Sequence, residues 1–178
     1  MRAFVAVEIP PPESERRQAP APEHLTLLFL GEIPRERTGP ISEALTRVAA
    51  TVPAFFATLE GVGAFPNAEH PRVVWTGVTE GREELVRLAG AVRAALPNEG
   101  DLSRRESEFA PHLTLFRVRS STDFRRAREL LSGSVGPPAP RRFRVGEFVL
   151  KESELSSRGA THRTLATFVL RGPAPEPA

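Results

Sequence analysis

Two tetrapeptides in this chain of 178 residues could do chemistry together: His24-Leu25-Thr26-Leu27 and His112-Leu113-Thr114-Leu115, identical and displaced by 88 residues. On a β-strand the side chains at i and i+2 share a face. Each copy would send its His and Thr to one side and its two Leu to the other. Leu25 and Leu27 are thus expected in the core of one lobe, and Leu113 and Leu115 in the core of a second. Two lobes facing each other would hold two imidazoles and two hydroxyls between them. Imidazoles with an ordinary pKa of about 6.5 serve as acid and base near neutral pH. Hydroxyls beside them donate to anionic oxygens. This set suits displacement at phosphorus: one imidazole takes the proton of an attacking hydroxyl or water, and the other protonates the departing oxygen. Charge on the non-bridging oxygens needs fixed donors. Arg117, three residues beyond Thr114, is the candidate. In a regular strand its odd spacing from His112 would turn it to the opposite face, so it needs a strand end, a twist or a bulge. The first copy has Phe29 at the matching place, which predicts an asymmetric site.

The elements that must position these residues are legible in the apolar pattern. Strands are expected at 3–7, 24–30, 55–59, 72–78, 112–118, 143–150 and 164–170, with the GVGAFPN run as a turn region. Helices are expected from Ile41 to Val52, from Leu85 to Leu96, and from Asp123 to Leu131. After each tetrapeptide come a helix, a strand with an embedded Gly and Phe (LEGVGAF, FRVGEF), and a final apolar strand. The repeat predicts a helix before the first copy, where only Glu13 to Ala19 is free of Pro. The chain therefore reads as two related α+β half-domains, the first trimmed at its N-terminus, in a single domain spanning 1–178. The Pro-rich segment 10–22 reads as a connection, and 171–178 as a flexible tail.

Composition narrows the function class. With no Cys there is no thiolate metal site, disulfide or cysteine nucleophile. The pI of 10.2 overstates the basic character, because the net charge is only +2. Its distribution says more: residues 1–100 carry −3 and residues 101–178 carry +5, so a polyanionic partner suits the C-terminal half. Lys151 is the single lysine among 24 basic residues. The opening MRAFVAVEIP lacks the features of a signal peptide, and no stretch reaches the ~20 apolar residues of a spanning helix. A cytoplasmic protein without membrane association is expected.

The two HxTx motifs at 24–27 and 112–115 resemble the mark of the two-histidine phosphoesterase superfamily. Within it, MRAFVAVEIP, HLTLLFLGEI, GVGAFPNAEHPRVVWTGV and FAPHLTLFRV are similar to the RNA 2′,3′-cyclic phosphodiesterases, also called 2′-5′ RNA ligases. The similarity runs from Met1 to about Leu170. It implies a bilobal α+β fold with a central cleft between two antiparallel sheets flanked by helices. It also implies metal-free, cofactor-free opening of a 2′,3′-cyclic phosphate at an RNA 3′ end to a 2′-phosphate, with 2′-5′ ligation as the related reaction. By this resemblance His24 is the proton donor and His112 the acceptor, while Thr26, Thr114 and Arg117 hold the phosphate. Two departures stand out. The segment before the first motif is short and Pro-rich, and His162 stands where family members tend to carry Tyr.

Other residues read more plainly. His162-Arg163-Thr164 also spells HxT, but Arg163 replaces the core-facing Leu, so His162 is expected at a strand start, with a contact at the cleft rim as the alternative. His70 reads as a loop residue. Phe4, Phe65 and Trp75 could stack a base, although Trp75 in an apolar strand reads as core; Arg72 has no assigned role. A zinc site would need His24, His112, His70 or His162 with a carboxylate, and no closely spaced ligand pair is present. Two rival functions remain open to the residues: a relative acting on a small cyclic nucleotide or 2′-5′ oligonucleotide, and a non-catalytic RNA-binding module. A monomer is expected.

Overall fold

The computed structural model describes residues 1–11, 23–97, 109–156 and 159–172. The expected helix at 13–19 lies outside them. β1 (Arg2–Ile9) pairs antiparallel with β2 (Glu23–Glu32). A short 3₁₀ turn at Arg35–Arg37 leads into α1 (Thr38–Thr51), which is followed by β3 (Phe55–Phe65), β4 (Val73–Val78) and α2 (Arg82–Ala95). The second half contains β5 (His112–Arg117), α3 (Ser121–Leu131), β6 (Arg141–Val145), β7 (Glu147–Ser156) and β8 (Gly159–Val169). The strands form two antiparallel sheets of four, ordered β2-β1-β7-β8 and β5-β4-β3-β6. β2 and β5, the tetrapeptide strands, are edge strands that meet at the seam between the sheets.

This order corrects the expectation of two contiguous half-domains. β3 and β4, from the first half, lie in one sheet with β5 and β6, whereas β7 and β8, from the second half, lie in the sheet of β1 and β2. Each half thus gives two strands to each sheet. The reason is visible in the core. Val5, Val7, Ile9 and Leu25 of one sheet, Ala57, Leu59, Leu113 and Phe143 of the other, and Ile41, Leu45, Leu85 and Leu88 of α1 and α2 form one continuous buried cluster. Apolar burial in a single cluster is what a chain of this size needs for stability.

Two further expectations are corrected. The run 143–150 is not one strand: it breaks at Gly146, and β6 and β7 join different sheets. The turn expected at GVGAFPN is strand up to Phe65, with an irregularity between Glu60 and Gly63. Gly63 is required there, since a Cβ would stand 2.3 Å from the Trp75 ring, which lies across it. Gly81 caps α2 in the left-handed region (φ 76°), where a Cβ would also strike the Phe56 carbonyl. At the other end of the chain, Arg171 and Gly172 are not frayed: their N–H groups donate to the carbonyls of Ala49 and Val52 at 2.9 and 3.0 Å. The remainder of the tail lies outside the described residues.

α3 begins directly after β5, and its start is fixed by a capping box. Asp123 N–H donates to Ser120 Oγ at 3.1 Å, and Asp123 Oδ2 accepts from the backbone N–H groups of Ser120 and Arg119, both at 3.0 Å. These bonds hold the Asp123 carboxyl below the usual carboxylate range. The box pins the chain two residues after Arg117.

Candidate active site

The register of β5 on β4 decides where Arg117 points. His112, Leu113 and Thr114 pair with Gly77, Thr76 and Trp75; Leu115 has no partner; Phe116 and Arg117 then pair with Val74 and Val73. Gly77, Trp75 and Val73 alternate along β4 and share one face. The bulge at Leu115 therefore returns Arg117 to the face of His112 and Thr114. β2 repeats the device. His24, Leu25 and Thr26 pair with Glu8, Val7 and Ala6, Leu27 is skipped, and Leu28 and Phe29 pair with Val5 and Phe4. The fourth residue of each tetrapeptide is the bulge, and Phe29 occupies the place that Arg117 holds in the second copy. The two copies differ at this matched position, Phe29 in one and Arg117 in the other. The other faces of both sheets contribute to the same core cluster, and the strands that carry the two histidines adjoin at the seam.

The Leu positions divide. Leu25, Leu27 and Leu113 are buried in the core. Leu115 is only half-buried, which corrects the expectation for it. It lines a groove of about 320 Å³ with Phe116, Leu130 and Pro137. α3 covers this side thinly, Ala127 being its one fully buried residue, so no deep core forms beneath Leu115.

Each histidine is walled by aromatic rings. The His112 centroid lies 5.0 Å from Phe65, edge to face, and 6.1 Å from Trp75. Trp75 thus belongs to the site face rather than to the core, and Gly63 makes its position possible. Phe65 is 37% exposed, leaving part of its ring open to a ligand. The His112 ring is further fixed by contact of Nδ1 with the Ala110 carbonyl at 2.7 Å. A carbonyl only accepts, so Nδ1 carries a proton and Nε2 of the neutral ring keeps its lone pair.

His24 has a different wall. Phe4 lies 5.0 Å from it and His162 5.1 Å, the latter at an interplanar angle of 87°. The placement of His162 inside β8, with its ring against His24, corrects its reading as a strand-start residue. The HxT alternation at 162–164 was the signal: His162 and Thr164 share a face, and Thr164 Oγ1 accepts from buried Lys151 at 3.2 Å. Lys151 is also ion-paired with Glu8. Burial, followed by the Lys151 ammonium, lowers the pKa of His162 and favours its neutral form. Phe4, Ala6 and Val149 make a small buried cluster beneath this wall, separate from the main core.

Of the remaining candidates, Thr26 is half-buried and Thr114 exposed on the histidine faces, and Arg117 is exposed with no ion pair among the described residues. His70 sits in the β3–β4 connection, where its N–H donates to Asn67 Oδ1 at 2.9 Å. Arg72 is bound through its backbone to Phe65 and Val118, at 2.8 and 3.0 Å. Among the described residues, no three His, Asp or Glu side chains come together as a metal-binding group. No helix among them is long and apolar enough to cross a membrane.

Comparison with known proteins agrees with this geometry. Residues 12–155 match the model of the 2′-5′ RNA ligase superfamily. The RNA 2′,3′-cyclic phosphodiesterase of Archaeoglobus fulgidus is 38% identical over 187 aligned residues, which cover 94% of this chain and 99% of the relative. The Escherichia coli protein of the same description is 30% identical, with 92% of each chain covered. Among solved structures, TT0787 of Thermus thermophilus superposes with a TM-score of 0.73 at 31% identity, covering 98% of this chain and 100% of that one. Escherichia coli LigT complexed with 3′-AMP gives 0.68 at 25% identity, covering 95% and 97%. The duplicated tetrapeptide strands with their matched bulges thus stand in a chain that belongs to the 2′-5′ RNA ligase superfamily.

Proposed function

We propose that this protein is an RNA 2′,3′-cyclic phosphodiesterase, opening the terminal cyclic phosphate to a 2′-phosphate by acid–base catalysis between His112 and His24. The observation that carries the assignment of roles is the contact of His112 Nδ1 with the Ala110 carbonyl at 2.7 Å, which leaves Nε2 as a base. Water attacks phosphorus and gives its proton to His112 Nε2. The bond from phosphorus to the 3′ oxygen breaks, and that oxygen takes a proton from His24. The product carries a 2′-phosphate and a free 3′-hydroxyl. Exchange of protons with solvent then returns both rings to their starting forms. A 5′-hydroxyl in the place of water gives a 2′-5′ linkage by the same two transfers.

Thr26, Thr114 and Arg117 hold the non-bridging oxygens, where charge builds in the transition state. Aromatic rings and a backbone carbonyl surround the histidines, which favours a route without a resident metal. One chain supplies both histidines from one core, which supports a single catalytic domain working as a monomer.

The test is turnover of an RNA oligonucleotide ending in a 2′,3′-cyclic phosphate, with EDTA present, by wild type, His24→Ala and His112→Ala. Conversion to a 2′-phosphate, reduced by ~10²–10⁴-fold in each variant, is expected. A 3′-phosphate product would refute the regiochemistry. Loss of turnover on adding EDTA would refute the metal-free route. RNA binding without turnover in all three proteins would refute the enzyme assignment.

A further inference from the structure

His162 lies on β8, at the opposite edge of its sheet from β2, yet its ring reaches the ring of His24. Phe4 closes a triangle, with its centroid 5.0 Å from His24 and 5.1 Å from His162. Nothing in the proton transfers uses His162. Its Nδ1 is buried and has no hydrogen-bond partner among the described residues. It therefore grips nothing through that atom, and what it offers His24 is the ring itself.

The charged and titratable surroundings explain how two imidazoles can be placed in contact. Lys151 on β7 is buried, ion-paired with Glu8 on β1, and hydrogen-bonded to Thr164 beside His162. Arg2 on β1 pairs with Ser153, the cross-strand neighbour of His162. Burial first, and the Lys151 ammonium second, lower the pKa of His162 and favour its uncharged form. Two adjacent imidazolium ions would repel; a neutral ring against a protonated one does not, and aromatic faces and edges attract cations. An uncharged His162 is thus compatible with His24 as the proposed proton donor.

We propose that His162 is a positioning residue for His24: together with Phe4 it holds the His24 ring in one orientation, so that its proton meets the departing 3′ oxygen. The inference rests on the phosphodiesterase reading for its kinetic consequence. It explains why this chain spends a residue of its outermost strand on a contact three strands away.

The test uses the full chain, with His162→Ala and His162→Phe, and an RNA ending in a 2′,3′-cyclic phosphate as probe. Alongside kinetics, the side-chain nitrogen resonances of His24 are followed by NMR without substrate. His162→Ala is expected to lower kcat by ~10-fold or more with KM within about twofold, whereas His162→Phe, which keeps a ring, stays within about threefold of wild type. The His24 resonances should move in the Ala variant and hold in the Phe variant. His162→Leu, which fills space without a ring, replaces the Ala variant if that protein does not fold. Unchanged kcat and unchanged His24 resonances in the ring-less variant would overturn the proposal. A rise in KM alone would make His162 a substrate contact and overturn it too, as would a loss in the Phe variant as deep as in the Ala variant. Failure of the wild type to turn over this RNA would sink the phosphodiesterase reading, while the NMR comparison would still decide whether His162 holds His24.

Discussion

A general base needs a lone pair aimed at the proton it removes, and the role proposed for His112 rests on the Ala110 carbonyl occupying its other nitrogen. Residue types and spacing point to His24, His112 and the threonines through a repeated pattern, which is visible in one dimension, and to Arg117 through its place three residues beyond Thr114. They could not tell of the rings around them. Trp75 reads as core in a strand of Val and Thr, and only its contact with His112 over Gly63 assigns it to the site. His162 is hidden for a similar reason: its partners, Phe4, His24 and Lys151, come from three other strands. Its titration is measurable. The folded state holds its pKa below the ordinary 6.5, so below that pH the unfolded chain takes up a proton that the folded chain refuses. Stability should therefore fall as pH drops from about 6.5 towards the lower folded value, with no such contribution above. Urea midpoints for wild type and His162→Phe between about pH 8 and 5 test this: the Phe variant lacks that part of the decline.

At the scale of elements, the bulge does what no side chain can. With Leu115 paired in a regular strand, Arg117 would fall on the core face. Deleting Leu115 instead leaves an even spacing between His112 and Arg117 and keeps the guanidinium on the histidine face. The deletion should therefore retain clearly more turnover of the same cyclic phosphate RNA than Arg117→Ala, which is expected to lose ~10²-fold or more. A deletion that loses as much as Arg117→Ala would show that the face of Arg117 is not what the bulge provides. Bulges leave little trace in sequence, because Leu115 looks like any other strand Leu; only the required position of Arg117 hinted at one. The break at Gly146 was hidden for the same reason, with Phe143 and Val145 shortly before it and Phe148, Val149 and Leu150 shortly after it. Gly63 offers a second test. In Gly63→Ala the new methyl meets the Trp75 ring and must displace it, destabilising the fold by ~1–3 kcal/mol. Since Trp75 walls His112, kcat should fall as well. Thermal melts and turnover measured together check both effects, and a stable, fully active Gly63→Ala would contradict this packing.

At the scale of the whole molecule, the strand types, the helix faces and the α+β class are all present in the periodicity, because burial of one face is a local pattern. The pairing of strands is not. Sequence order suggests that each half folds on itself, whereas β3 crosses to pair with β6, and β7 with β1. Non-local pairing is chosen by the one core that all these strands bury, and no short window contains that information. The seam where β2 meets β5 is consequently built into the core rather than hung on a linker between lobes.

The crossed strands make this chain a domain-swapped dimer written on a single polypeptide. A cut between α2 and β5 would leave two pieces, each holding two strands of each sheet and lacking the partners that the other piece carries. Neither should fold alone. Mixed or co-expressed, the pieces should reassemble in trans and recover phosphodiesterase activity, because the peptide link contributes proximity while the exchanged strands contribute the recognition. Analytical ultracentrifugation and turnover of the mixed fragments would read this directly, and an independently folded half would contradict it.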